Sequence, residues 1–163
     1  MEPPFVGSNP TAPANQLTIE NQSLPRIKLT FDGAPPDLET LRVATAIEST
    51  AALNGGKLRA SIRFVPPGEM AELHRFKGGD GPTNVLTFAH MTGADIAICP
   101  QVAKEDSVVR GWDFHSELIY LCIHGCLHAL GFDHRDHAKD IEMGNLERQI
   151  LANLDLATRV LDP

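Results

Sequence analysis

Apolar and polar residues alternate over residues 26–32, where Ile27, Leu29 and Phe31 interleave with Arg26, Lys28, Thr30 and Asp32. A period of two sends one set to a buried face and the other to solvent, which predicts a half-buried strand. Residues 58–64 repeat the pattern, with Leu58, Ala60, Ile62 and Phe64 on one face and Arg59, Ser61 and Arg63 on the other. Residues 83–89, carrying Val85, Leu86 and Phe88, read as a third strand; residues 94–99 are apolar enough to be a central fourth.

Between these runs the apolar spacing widens to that of helices. Pro35, Pro36 and Asp37 form a helix entry with Asp37 as N-cap. Leu38, Leu41, Ala44 and Ile47 give that helix its inner face, and Asn54-Gly55-Gly56 ends it. Pro67 opens a short helix to about residue 75, and Pro100 opens another to about residue 109. Residues 77–82, Lys-Gly-Gly-Asp-Gly-Pro, are a loop by composition. The apolar run from Leu118 to Ile123 predicts a long buried helix starting at Ser116, with Glu117 favoured in its first turn by the helix dipole. Asp136 caps a last helix, with Ile141, Leu146, Ile150 and Leu151 inward. The order predicts an α+β fold, one small mixed β-sheet of about four strands packed with helices.

Residues 1–25 carry Pro3, Pro4, Pro10, Pro13 and Pro25 without periodicity and read as a disordered tail, leaving residues 26–158 as a single domain. The chain is 42% hydrophobic and 21% charged, a globular composition. It has no run of ~18 apolar residues and no basic-then-apolar start, so a cytosolic location is the default. Three cysteines, Cys99, Cys122 and Cys126, are too few for a disulfide framework and fit a reducing compartment. A net charge of -7 opposes bulk attraction to nucleic acid, so such a partner requires a local basic patch. Residues 57–77 supply one, with five basic residues against two acidic.

The chemistry concentrates in residues 124–134. His124, His128 and His134 follow the spacing H-x3-H-x5-H. Residues four apart share a helical face, so His124 and His128 point at a common centre. Gly131 suits a left-handed C-cap that ends the helix and folds His134 back toward them. Three neutral imidazoles with an open fourth position describe a catalytic metal site on a buried central helix, with zinc the leading ion and nickel, copper or iron the alternatives. His115 and His137 compete for third ligand, but His115 is too far along the helix and His137 falls at the start of the next one. Cys122 and Cys126 sit about 200° around the helix from the histidines and pack in the core. Asp133 reads as a turn residue or as a partner to a ligand. Zinc peptidases of the H-E-x-x-H type carry a glutamate after the first histidine; here Gly125 stands there, which demotes peptide hydrolysis.

The stretch reads H-G-x-L-H-x-L-G-x-D-H and resembles the hallmark H-G-x-L-H-L-x-G-Y-D-H of the YbeY family of bacterial rRNA-maturation endoribonucleases. Asp80 with Pro82 through Phe88 is similar to that family's K-D-x-P-T-D/N-V-L-S-F segment. Ala94-Asp95-Ile96 resembles its G-D-I strand, Glu117-Leu118 with Leu121 its approach to the first histidine, and Met143, Glu147 and Ile150 its last helix. The resemblance implies a single-strand-specific, zinc-dependent endoribonuclease acting in 16S rRNA 3′-end maturation and ribosome quality control. Ribosomal RNA and the small ribosomal subunit are its implied partners, and His124, His128 and His134 its implied metal ligands. The family's functional arginine falls on Lys77, its preceding tyrosine on Phe76 and its loop lysine on Gly79. Lysine keeps the charge and loses the bidentate fork. Lys77 is therefore the candidate catalytic cation beside a zinc-bound water, and Arg75, Arg59 and Arg63 are candidate substrate contacts. Two rivals stand beside this reading: a metal-dependent peptidase drawing a carboxylate from elsewhere, such as Glu117, and a non-catalytic ribosome-assembly factor with a structural zinc.

Overall fold

The alternating stretch at residues 58–64 becomes the second strand of a mixed sheet. The computed structural model describes residues 27–53 and 57–156. In chain order these form β1 (Ile27–Asp32), α1 (Thr40–Leu53), β2 (Leu58–Phe64), α2 (Pro67–Phe76), β3 (Val85–His90), β4 (Gly93–Ile98), α3 (Pro100–Arg110), α4 (Phe114–Ala129) and α5 (His137–Asn153). The expected tail at residues 1–25 and the expected helix stop at Asn54-Gly55-Gly56 lie outside the described residues. No helix among the described residues is long and apolar enough to cross a membrane.

The strand order is β1-β2-β4-β3. β1 and β2 are parallel, as are β2 and β4, while β3 runs antiparallel to β4 through the tight connection at Met91 and Thr92. A parallel pair requires a crossover, and α1 supplies it between β1 and β2. β4 is central, as its apolar sequence predicts, and β3 is an edge strand. One sheet face, bearing Leu58, Ala60, Ile62, Ile96 and Ile98, packs against α1, α4 and α5 in the main core. The other face is covered in part by α2, whose buried Met70 meets Val65, Ala97 and Cys99. The fold is thus α+β with a four-stranded mixed sheet among the described residues.

α4 is the helix the core is built around. Leu118, Leu121, Ile123 and Leu127 are at most 1% exposed, and each such burial stabilises by roughly 1.5–3 kcal/mol. The helix begins at Phe114, two residues before the expected Ser116, because Asp113 is the N-cap and accepts a hydrogen bond from Ser116 N at 3.0 Å.

Three expectations need correction. Asp37 does not cap α1: Leu38 N bonds to Pro35 O in a turn, and the helix starts only at Thr40. Leu38, Ala44 and Ile47 are buried as expected and Val43 and Ala46 join them, but Leu41 is left 80% exposed. Ile141 also faces outward, at 51% exposure, because Met143 takes the inward position in α5. Asp136 caps α5 as expected, accepting from Ala138 N and Lys139 N.

Gly125 has a packing reason that its sequence context hides. A Cβ at this position would stand 2.8 Å from Ile96 Cγ2 and 3.4 Å from Thr87 Oγ1. The Thr87 hydroxyl donates to the Gly125 carbonyl at 3.1 Å, fastening α4 onto β3. Position 125 therefore faces the sheet. Gly125→Val is expected to destabilise the fold by roughly 1–3 kcal/mol through overpacking, read as a lower urea midpoint at unchanged m-value.

Candidate metal centre

α4 delivers His124 and His128 on one face one turn apart, and its C-terminus delivers the third imidazole. Gly131 takes a left-handed φ of +96°. Its N–H bonds to His128 O at 3.0 Å, and Phe132 N bonds to Leu127 O at 3.2 Å. This pair of bonds is a Schellman cap, which stops the helix and reverses the chain. His134 is thereby carried back until its ring stacks 5.2 Å from His124 and lies 5.1 Å from His128, those two being 4.5 Å apart. One ring nitrogen from each of the three lies within 4.8 Å of the others.

Each Nδ1 is engaged by an acceptor. His124 Nδ1 is 2.8 Å from Glu147 Oε1, His128 Nδ1 is 2.9 Å from Phe132 O, and His134 Nδ1 is 2.7 Å from Asp140 Oδ1. Ionised carboxylates and carbonyls only accept, so each Nδ1 carries a proton, and in the neutral ring that leaves the Nε2 lone pair for a ligand. The Nε2 atoms of His124 and His128 stand 3.0 Å apart. Two nitrogens on one tetrahedral zinc, at ordinary bond lengths, stand about 3.3 Å apart. Two lone pairs at such a separation repel unless a cation or proton lies between them. The donor set fits a metal ion, and these three imidazoles can hold one. Burial is the main cause that lowers the His128 pKa, with the neighbouring imidazoles adding to it, and this favours the neutral, ligating form.

Glu147 and Asp140 were missed as partners of the ligands. They are seven apart in α5 and so share one helical face, a spacing the sequence shows without showing which element it faces. The two pairs differ in setting: the Glu147 and His124 side chains are 13% and 16% exposed, those of Asp140 and His134 47% and 52%. Behind His124, Tyr120 Oη lies 3.5 Å from Nδ1, and burial together with the Glu147 charge pushes its phenol up to about 12. Glu147→Gln is expected to weaken metal binding by about 10–100-fold, the usual cost of losing an outer carboxylate. Titration of metal-free protein with zinc measures this.

The other sequence candidates divide. Lys77 lines a cleft of about 380 Å³ together with Thr87, His128, Gly131, Phe132 and Asp133. Its Nζ donates to Thr87 O and lies 4.7 Å over the Phe88 ring. Arg75 is exposed, near the end of α2 and two residues from Lys77. Arg59 and Arg63 sit on the opposite sheet face from α4, so the structure does not bring them to the histidines. Arg63 is ion-paired with Glu69. At position 79, a Cβ would stand 2.0 Å from His74 Nε2, so any side chain there requires that ring to leave.

Asp133 is a turn residue. Its carboxylate accepts from Arg135 N and Nε, and the Arg135 side chain holds its carboxyl low, at about 2. His115 lies 2.9 Å from the Asp37 carboxylate at the far end of α4, and His137 is exposed at the start of α5. Glu117 is fully buried and tied to Arg110 at 3.2 Å. Burial raises its pKa and Arg110 opposes that. It supplies no carboxylate to the histidines. Cys122 and Cys126 are buried in the core, where burial raises both thiol pKa values.

Comparison with known proteins finds relatives across most of the described domain. A family model described as "Endoribonuclease YbeY" matches residues 38–155. A relative of that name from Salinispora tropica is 37% identical over 113 residues, 57% of this chain and 72% of its own length. One from Ralstonia nicotianae is 35% identical over 119 residues, covering 69% and 60%. One from Frankia casuarinae is 34% identical, and the match spans 58% of this chain and 56% of that protein. A solution structure from Thermotoga maritima superposes with a TM-score of 0.62 at 23% identity, over 83% of this chain and 97% of that one, and so shares the fold.

Proposed function

The chain belongs to the YbeY endoribonuclease family, and from that premise we propose that it is a zinc-dependent, single-strand-specific endoribonuclease acting in 16S rRNA 3′-end maturation and ribosome quality control. Its partners on this reading are ribosomal RNA and the small ribosomal subunit, met in the cytoplasm. The observation that carries the proposal is the triangle of imidazoles, each fixed at Nδ1, one of which, His128, lines a cleft that Lys77 also lines.

His124, His128 and His134 would hold the zinc through Nε2. Bound there, zinc supplies Lewis acidity toward a phosphoryl oxygen and acidifies a water to a pKa of about 7. The chain's own residues do the rest. Glu147, the Phe132 carbonyl and Asp140 fix the three rings in one tautomer, so the ligating nitrogens need no rearrangement. Lys77 has three donors and spends one on Thr87 O. The other two serve the oxygens of a phosphate, whose negative charge grows as the bond to phosphorus is exchanged. Arg75 adds charge along the incoming strand.

A peptidase gains no support, since Gly125 faces β4 and Glu117 is held by Arg110. An assembly factor with a structural zinc predicts ribosome association that survives loss of the histidines. Incubating zinc-loaded protein with single- and double-stranded RNA of one sequence tests the proposal: cleavage confined to the single strand is expected.

A further inference from the structure

We propose that the apolar pocket on the sheet face opposite the histidines is a subsite for an unpaired nucleobase of the substrate, next to the phosphate held at Lys77. This rests on the nuclease reading above. The pocket has a volume of about 430 Å³ and is walled by Leu73, Phe76, Phe88 and Ala97, with Arg63 and Asp95 also lining it.

The pocket and the metal cleft lie on the two sides of one edge strand, Phe88 lining the first and its neighbour Thr87 the second. β3 lies at the sheet edge, with Thr87 turned toward α4 and Phe88 toward the pocket. Lys77 bridges the two, lining the cleft while its ammonium sits 4.7 Å over the Phe88 ring. A strand whose phosphate lies at Lys77 therefore has an aromatic-walled cavity within one side chain's reach.

The lining fits a base better than a peptide side chain or a second phosphate. Phe76 is 85% exposed, an uncompensated aromatic surface at the end of α2. Aromatic faces bind any unpaired base by stacking, and a base inside a duplex cannot offer its face. Asp95 is 69% exposed, with His90 3.8 Å away, and accepts from an exocyclic amino group. Arg63 is a donor held in place by Glu69. One acceptor and one donor on opposite charges suit the edge of a base and repel no net-neutral ring, whereas a phosphate would meet the Asp95 carboxylate. This gives Arg63 a part in recognition without placing it at the metal.

The test compares full-length, zinc-loaded wild type with Phe76→Ala and Phe76→Tyr on a short single-stranded RNA, and repeats the series with an abasic residue walked along the strand near the cut. Phe76→Ala is expected to raise KM by roughly 5–100-fold, the range of a lost base stack, with kcat little changed and Phe76→Tyr close to wild type. One abasic position is expected to reproduce that loss, and the two losses should not add. Unchanged KM in Phe76→Ala, with the wild type still cleaving, overturns the subsite alone and leaves the pocket to a protein partner. Additive losses at every abasic position overturn it as well. A wild type that neither binds nor cuts RNA overturns the nuclease reading, and the subsite with it.

Discussion

The His128→Ala protein is expected to retain no zinc after dialysis and to lose RNA cleavage altogether. His128 is one corner of the triangle, with its Nε2 3.0 Å from that of His124 and its Nδ1 held by Phe132 O. Removing it leaves two ligands, and affinity should fall by more than the ~10–100-fold attached to an outer partner. The metal-free fold should tolerate the change. His128 is only partly buried and lines the cleft, so truncation opens no closed cavity in the core. Zinc content by atomic spectroscopy, with far-UV circular dichroism as control, reads both outcomes. A folded variant that still holds zinc would remove His128 from the ligand set.

Lys77→Ala should separate chemistry from metal binding. A single preorganised donor aimed at developing charge is worth roughly 10²–10³ in kcat. The structural contacts that lysine makes are smaller: an exposed cation over an aromatic ring contributes only about 0.5–1 kcal/mol. Zinc content and melting temperature should therefore stay near wild type while the single-turnover rate falls by two to three orders of magnitude. Lys77→Arg restores the fork that grips a phosphate bidentately and should keep or exceed the wild-type rate. If Lys77→Ala cleaves at the wild-type rate, the cation at this position has no part in the reaction.

How far the sequence carried depended on whether a feature was local. Alternation at Leu58, Ala60, Ile62 and Phe64 reported a strand because two-fold periodicity depends on the chain alone. The same alternation placed Arg59 and Arg63 on a common face but could not say which face, and they lie away from α4. The histidine triangle was legible because i, i+4 spacing and a glycine cap are local geometry. The atoms that orient the rings were less so. Phe132 contributes a backbone carbonyl, which no side chain announces. Glu147 and Asp140 contribute from another helix, and only packing of α5 on α4 brings them in. Gly125 was read for the glutamate it lacks, and the structure adds the contact with Ile96 that requires it. Asp37 failed as a cap because the Pro35 turn delays helix entry to Thr40, a competition between two local signals.

On the proposed reading, three imidazoles fixed at Nδ1 would hold a zinc ion on which cleavage of single-stranded RNA beside Lys77 depends. The most direct test of this dependence is cleavage of one single-stranded RNA by the same protein sample before chelation, after chelation and after stoichiometric zinc is returned. Cutting, then none, then cutting restored is the expected result. Undiminished cutting by protein verified to be free of metal would contradict it.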